Sequence, residues 1–363
     1  MKQGITFQEL QEKANEYADK SIDRIISVKD CVVSHDDNNQ FMLYNPKSAQ
    51  QWVLDDNCHL QLSNKLKIPR QYYNRTKDEQ PDLLALNINT WLKSFPEDAE
   101  MMMRGFDKFD SKTHLSGRAI LSTRYKRIDN IDVINNILPM IKNEHEIQSC
   151  DITPFNMFLK VSFPETRMEV GSPKGVSVGD LVEGGVIISN SEIGWGSMNL
   201  SYFVHRLVCT NGMVVPDMIG TVRKNHSGQV LTHEDGDIIE GEYTIKSDYE
   251  KLEQIHNLLS QAQSETVMLN TTESFRNAQK DQFRGSFQDG FLELSRHFLI
   301  TKEEMVLVED HFKKWGDKTR WGFANAVTRT AQDVSSYDRA TELEKIGGKI
   351  IGMQSKSWHK LTA

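Results

Sequence analysis

Residues 198–208 read MNLSYFVHRLV, and apolar side chains recur at every second position from Met198 to Val204. A period of two places these side chains on one face of a β-strand. Residues 157–163, MFLKVSF, show the same alternation. The dipeptide Asn211-Gly212, just after the first run, is a strong short-range hairpin signal. The pattern predicts several strands that each bury one face.

One helix is predicted to interrupt these strands. Asp129 or Asn130 is suited to its N-cap, since either side chain can accept a hydrogen bond from the first free backbone N–H groups. The apolar stripe that follows at helical spacing comprises Ile131, Ile134, Leu138 and Ile141. Strands with one inserted helix make residues 100–245 a β-rich core, and the chain as a whole is predicted to be α+β.

The two flanks of this core are predicted to be mainly helical. Residues 1–99 form a mostly helical N-terminal region, in which residues 31–33 and 41–44 predict a β-hairpin and residues 49–54 a short helix. Residues 246–363 form a C-terminal helical bundle, with helices at 265–283, 286–299, 302–315, 321–333 and 338–352. The pair Gly347-Gly348 is expected to weaken the last of these helices.

The composition favours a cytoplasmic protein with no membrane association. The 363 residues include 43 Lys and Arg against 51 Asp and Glu, and the net charge of −8 argues against a uniformly basic nucleic-acid coat. No apolar run reaches the roughly 18 residues of a membrane-spanning helix, and the start MKQGITFQEL lacks the apolar core of a signal peptide. Isolated cysteines without a C-x-x-C pair are typical of reduced cytoplasmic thiols, and the four are Cys31, Cys58, Cys150 and Cys209.

The common enzyme signatures are absent from the sequence. There is no Walker A loop and no G-x-G-x-x-G, H-E-x-x-H or G-x-S-x-G element. We therefore assign no catalytic residue, metal site or cofactor. His205 and Cys209 are four residues apart, which in a strand is roughly 13 Å and too far for direct proton transfer. The acidic run 233–237 lacks the spacing of a calcium loop, and we interpret it as a solvated loop.

The strongest functional lead is the basic run 118–127, RAILSTRYKR. Guanidinium groups suit phosphate recognition because their planar fork can bond two oxygens at once. An interleaved tyrosine can stack on an unpaired base. The predicted nucleic-acid-binding residues are Arg118, Arg124, Tyr125, Lys126 and Arg127, with Lys108 and Arg104 upstream and Phe106 and Phe109 beside them. The structural alternative is a strand end and turn with solvated charges.

Several blocks of the sequence resemble a known family. They are residues 117–130 (GRAILSTRYKRIDN), 185–192 (GVIISNSE) with 206–213 (RLVCTNGM), and 325–328 (NAVT) followed by 342–344 and Gly347-Gly348. Together with the stretch 81–92, they are similar to blocks of a phage/plasmid-like protein family, domain of unknown function 932. The resemblance implies a protein of phages, prophages or plasmids that acts in the bacterial host cell. The resemblance implies no catalytic residues for this chain.

Three hypotheses about function follow. The first is a mobile-element protein that binds single-stranded nucleic acid. Mobile elements often carry ATP-independent strand-annealing proteins that form homo-oligomers, and the absent nucleotide-binding loop, the β-rich core and the run 118–127 are compatible with that activity. The second is a non-enzymatic acidic interaction protein that inhibits a host defence or replication factor through the acidic segment 231–265. The third is an enzyme, for instance a metal-dependent nuclease that uses Asp107, Asp110 and Asp129. We favour the first.

Overall fold

The computed structural model describes residues 1–47, 50–108, 111–171, 181–207, 211–215, 221–224, 231–232, 238–239 and 254–363. Within these ranges the chain forms two large sheets, a short two-stranded pair and a set of helices, so the predicted α+β class is confirmed. Four features discussed above lie outside the described residues, namely Cys209, Phe109, Asp110 and the acidic run 233–237.

The first sheet is formed by the N-terminal third of the chain. Its strands and the helices between them are α1 (Phe7–Lys20), β1 (Ser21–Ser27), β2 (Val32–His35), β3 (Phe41–Asn45), β4 (Gln50–Leu54), α2 (Asp56–Lys65), α3 (Arg70–Glu79), α4 (Pro81–Lys93), β5 (Glu100–Lys108) and β6 (Ser111–Leu121). The strand order is β1-β5-β6-β4-β3-β2. Neighbouring strands are antiparallel except β4 and β6, which run parallel.

The sequence predictions for this region are confirmed only in part. The hairpin of residues 31–44 is confirmed, since Val32 of β2 lies opposite Tyr44 of β3. The helix predicted at 49–54 is wrong, because residues 50–54 are strand β4, with Trp52 and Leu54 in the core. A segment of five residues is too short to distinguish the period of a helix from that of a strand. Its pairing with β3 and β6 makes it a strand. Strands β5 and β6 follow residue 99, where the N-terminal region was expected to end, yet they pair with β1 and β4 in the first sheet.

The second sheet is formed by the middle of the chain. Its elements are α5 (Asn130–Ile137), β7 (Glu146–Ile152), β8 (Met157–Ser162), β9 (Met168–Glu169), β10 (Leu181–Asn190), β11 (Met198–Arg206), β12 (Asn211–Val214) and β13 (Thr221–Lys224), followed by the short pair β14 (Leu231–Thr232) and β15 (Ile238–Ile239). The strand order is β12-β11-β10-β8-β7, with β9 beside β10 and β13 beside β11. Asp129, one of the two cap candidates from the sequence, is the N-cap residue of helix α5, but its side chain does not make the expected capping hydrogen bond.

Helices make up the rest of the described chain. They are α6 (residues 254–262), α7 (Glu265–Lys280), α8 (Phe287–Phe298), α9 (Lys302–Trp315), α10 (Arg320–Thr330), α11 (Tyr337–Gly352) and α12 (Ser355–Leu361). The five helices predicted between residues 265 and 352 are therefore confirmed, with ends that differ by at most three residues. Their apolar stripes pack together with the second sheet in the main core, which contains Leu159, Val161, Leu200, Tyr202 and Val204 from the strands.

The glycine pair in α11 permits close packing and does not end the helix. Helix α11 continues through both Gly347 and Gly348. A β-carbon on Gly348 would lie 1.8 Å from the carbonyl oxygen of Val214 in β12, and one on Gly347 would lie 2.3 Å from a methyl carbon of Thr328 in α10. The helix can approach the strand this closely only because these positions lack side chains.

A buried ion pair ties α11 to the second sheet. Nζ of Lys160 on β8 donates to Oε2 of Glu344 at 2.6 Å, and both side chains are fully buried. The ammonium group also lies 4.9 Å from the ring centre of Tyr337. The hydroxyl groups of Tyr337 and Ser149, on β7, are hydrogen-bonded at 2.6 Å. Helix α11 is thus attached to the sheet by polar contacts as well as by its apolar stripe.

We predict that replacing only one residue of this ion pair destabilises the protein more than replacing both residues. Lys160→Met leaves the Glu344 carboxylate buried without its cation, and should lower the free energy of unfolding by about 3–5 kcal/mol. The double variant Lys160→Met/Glu344→Leu should recover most of that loss, because no uncompensated charge remains. Urea unfolding of wild type, both single variants and the double variant measures these values. Additive losses in the double variant would contradict this account.

Candidate nucleic-acid interface

Tyr125, predicted to stack on a base, is a core residue. Its side chain is 7% exposed and packs with Met102, Leu121 and Ile193. The hydroxyl group donates to the carbonyl oxygen of Ser191 at 3.1 Å, and burial raises the pKa of this phenol. A stacking platform requires a ring face open to solvent. The stacking role predicted for Tyr125 is therefore not available while this packing persists.

Arg104, the upstream residue predicted to contact phosphate, is fully buried. One terminal nitrogen of its guanidinium group donates to Oδ1 of Asp129 at 2.5 Å, and Nε lies 3.6 Å from Oδ1 of Asp23 on the paired strand β1. Nε of Arg127 donates to the other carboxylate oxygen of Asp129 at 2.5 Å. Burial raises the pKa of Asp23, and the charge of Arg104 lowers it in part. Arg104 therefore balances internal carboxylates and has no access to a ligand.

Arg118 is mostly buried where the two sheets meet. Its guanidinium carbon lies 4.3 Å from the ring centre of Phe106 and 4.7 Å from that of Tyr17. One terminal nitrogen lies 3.3 Å from Oε2 of Glu192, just after β10. The other oxygen of Glu192 accepts a hydrogen bond from the backbone N–H of Asn130 at 2.8 Å. Arg118 therefore connects β6 to the second sheet and to the start of α5.

The remaining predicted residues differ in exposure. Arg124 is exposed, Arg127 is about one third exposed and bound to Asp129, and Lys126 is half-buried. Lys108 is the last residue of β5, and its side chain lies outside the described part of the structure. The seven predicted residues thus do not form one accessible basic face. Three of them, Arg104, Arg118 and Tyr125, belong to the interior or to the contact between the sheets.

An exposed aromatic pair lies beside this segment. Phe155, in the turn between β7 and β8, is 36% exposed, and Trp195, in the turn between β10 and β11, is 48% exposed. Their ring centres are 4.7 Å apart at an angle of 52°. Ser191 joins the two turns, because its hydroxyl donates to the carbonyl oxygen of Phe155 at 2.8 Å and accepts from the N–H of Trp195 at 3.2 Å. Gly194 turns the chain with a φ of 81°, which favours glycine.

Two exposed arginines lie on segments that are hydrogen-bonded to the Trp195 turn. Arg223 on β13 is exposed, and its Nε donates to Oγ of Ser197 in the same turn as Trp195 at 2.7 Å. Arg124 precedes Tyr125, whose hydroxyl is bound to Ser191 at the start of that turn. We call Phe155, Trp195, Arg124 and Arg223 the Trp195 face. The sequence Gly194-Trp195-Gly196 indicates a turn, and a large aromatic residue between two glycines is also a signal for an exposed ring.

His205 belongs to a buried polar cluster around Glu183. Oε1 of Glu183 is 3.1 Å from Nδ1 of His205 and accepts a hydrogen bond from the hydroxyl of Ser162 at 2.8 Å, while Oε2 accepts from Arg167 at 3.0 Å. Burial by itself would raise the pKa of Glu183, but these three donors lower it to about 2.

Among the described residues, no three His, Cys, Asp or Glu side chains are grouped to hold a metal ion. None of the described helices is long and apolar enough to cross a membrane.

The protein is thus an α+β protein whose second sheet carries two exposed aromatic rings at one end, with Arg223 bonded to the turn of one of them. The family model described as Domain of unknown function (DUF932) matches residues 119–346, more than half of the chain. The chain belongs to this family, as its sequence blocks suggest. No curated protein and no solved structure matches it. Phe155, Trp195, Arg124 and Arg223 all lie within the matched residues.

We predict that Arg104 supports the fold and Arg124 does not. Arg104→Met leaves Asp23 buried without its cation and leaves Asp129 with Arg127 alone, so the free energy of unfolding should fall by about 3–5 kcal/mol. Arg124→Met alters an exposed side chain and should change it by less than about 0.5 kcal/mol. Urea denaturation followed by circular dichroism measures both. Equal and small effects would show that Arg104 is not a structural residue.

We also predict a pH dependence that Glu183 causes. The pKa of this carboxylate falls from an ordinary 4.5 to about 2 on folding. Its stabilisation is therefore complete above about pH 4.5 and is lost as the pH falls toward 2. The difference in unfolding free energy between wild type and Glu183→Gln should be constant near neutral pH and should shrink over that window. A difference that does not change with pH would contradict this assignment.

Proposed function

We propose that this protein binds single-stranded nucleic acid through the Trp195 face, and that it does so as a phage or plasmid protein in the bacterial cytoplasm. The observation that supports this proposal is the pair of exposed aromatic rings, Phe155 and Trp195, together with an exposed arginine on each of two segments that are hydrogen-bonded to the Trp195 turn. Bases stack on such rings whatever their identity, and arginines bond the phosphates between them. The face therefore has the two elements of a sequence-tolerant binding site for an unpaired strand.

A single strand suits this face better than a duplex. The bases of a duplex stack on one another, so their faces do not reach a protein ring unless the helix is distorted. A duplex also presents a high density of phosphates, and the chain as a whole carries a net charge of −8. Binding then depends on a local contact with unpaired bases and not on general attraction between a basic surface and a polyanion.

The sequence also predicts an extension of this proposal and an alternative to it. The extension is that the protein, as a homo-oligomer, anneals complementary single strands without ATP. It predicts that complementary single strands pair faster in the presence of the protein and of no nucleotide. Inhibition of a host factor remains a prediction from the sequence, because most of the acidic segment 231–265 lies outside the described residues.

Aromatic variants test the proposal directly. Phe155→Ala/Trp195→Ala should weaken binding to a labelled single-stranded oligonucleotide by about 10- to 100-fold, since each stacked base contributes about 1–3 kcal/mol. Trp91→Ala is the matched control, because Trp91 is 51% exposed on α4 and lies outside this face. Fluorescence anisotropy with single-stranded and duplex DNA and RNA measures the affinities. Equal affinity for wild type and the double variant would refute the assignment.

Charge reversal tests the phosphate contacts separately. Arg124→Glu/Arg223→Glu should weaken binding and make it less dependent on salt, because each lost phosphate contact removes about 0.7 from the slope of log affinity against log salt. Arg296→Glu, on the exposed surface of α8, is the matched control and should leave the slope unchanged. A slope that is the same in all three proteins would exclude Arg124 and Arg223 as phosphate contacts.

A further inference from the structure

The end of strand β4 leaves part of β6 without a strand partner on that side. The parallel pairing of β4 with β6 stops at Leu54, which lies opposite Gly117, and the chain then enters α2. Two amide side chains of α2 bond the backbone of β6 beyond that point. Nδ2 of Asn57 donates to the carbonyl oxygen of Arg118 at 2.6 Å, and Oε1 of Gln61 accepts from the N–H of Ile120 at 2.6 Å.

The same two amides also hold the turn that carries Trp195. Oδ1 of Asn57 accepts a hydrogen bond from the indole Nε1–H of Trp195 at 2.5 Å, and Nε2 of Gln61 donates to the carbonyl oxygen of Ile193 at 2.8 Å. Asn57 and Gln61 are four residues apart and so lie on one side of α2. Each amide therefore bridges the first sheet and the Trp195 turn.

An amide can make both bonds at each position, because it carries a donor and an acceptor on separate atoms. Asn57 is buried and must accept from the indole while it donates to a carbonyl oxygen. A carboxylate accepts but cannot donate, and an apolar side chain does neither. The residue type at this position thus matches the requirement to join a backbone carbonyl group to an indole N–H group.

We infer that Asn57 and Gln61 are positioning residues that fix the turn and the orientation of the Trp195 ring before a ligand arrives. The ligand role of that ring rests on the proposed function, whereas the positioning does not. A ring that is already ordered loses less conformational freedom on binding, so the affinity is higher than for a mobile ring. Both residues precede the family-matched segment 119–346, and the site thus depends on the N-terminal part of the chain.

Fluorine NMR of the full-length protein labelled with 5-fluorotryptophan tests the positioning without any ligand. Trp195→Phe assigns the Trp195 signal among the six tryptophans. Asn57→Ala should shift and broaden that signal, and Asn57→Asp should do so less, because it keeps the acceptor for the indole but loses the donor to the carbonyl oxygen of Arg118. The signals of the buried Trp52 and Trp358 report whether each variant is folded. Gln61→Ala is a second variant, which releases the turn at Ile193 and leaves Asn57 intact.

Anisotropy measurements with a labelled single-stranded oligonucleotide then separate the two claims. Asn57→Ala should lower the affinity by about tenfold, and Asn57→Asp, which keeps only the bond to the indole, should lower it less. An unchanged Trp195 signal in folded Asn57→Ala and Gln61→Ala proteins would overturn the positioning role. A displaced signal with an unchanged affinity would support the positioning role and would overturn the proposed function of the Trp195 face.

Discussion

The buried charges between the two sheets are the constraint on which the rest of the molecule depends. Arg104 of the first sheet binds Asp129 at the N-cap of α5, and Arg118 lies against Glu192 at the end of β10. Charges removed from water are costly unless they are paired, so these contacts require one relative placement of the strands and α5. They join strands of the first sheet to α5 and to the end of β10, and the contact of Arg104 with Asp23 adds the predicted N-terminal region to the network.

This constraint explains why a basic run in the sequence is not a basic surface in the structure. The run 118–127 begins in a strand, passes Tyr125 in a small apolar cluster, and ends beside Asp129. Much of its charge is balanced by internal carboxylates, and Arg124 is its clearly exposed arginine. The surface that a ligand can reach is made instead by turns that the network supports, including the one that carries Trp195. Basic residues in a sequence thus indicate an anionic ligand only when they are not paired with carboxylates inside the protein.

Long periodic segments were predictable, and short segments were not. The helices between residues 265 and 352 and the alternating strands β8 and β11 follow from local spacing. Helices of 11 to 16 residues show a clear stripe, and alternation over six to nine residues identifies a strand. Residues 50–54 are too few for that distinction, and their pairing with β3 and β6 makes them a strand. The hairpin of residues 31–44 was predictable, but its place in a sheet that includes β5 and β6 was not.

The sequence by itself determined the α+β class, the family and most of the helices, since these depend on local periodicity and on ordered blocks of residues. Only the tertiary structure decided which charged and aromatic side chains face solvent. Arg104 and Arg124 are both arginines beside apolar residues, yet one is fully buried and the other is exposed. The difference arises because the partners of Arg104, Asp23 and Asp129, are distant in sequence and meet it only through strand pairing and the placement of α5. The exposure of Trp195 and its bond to Asn57 depend on contacts of the same long range.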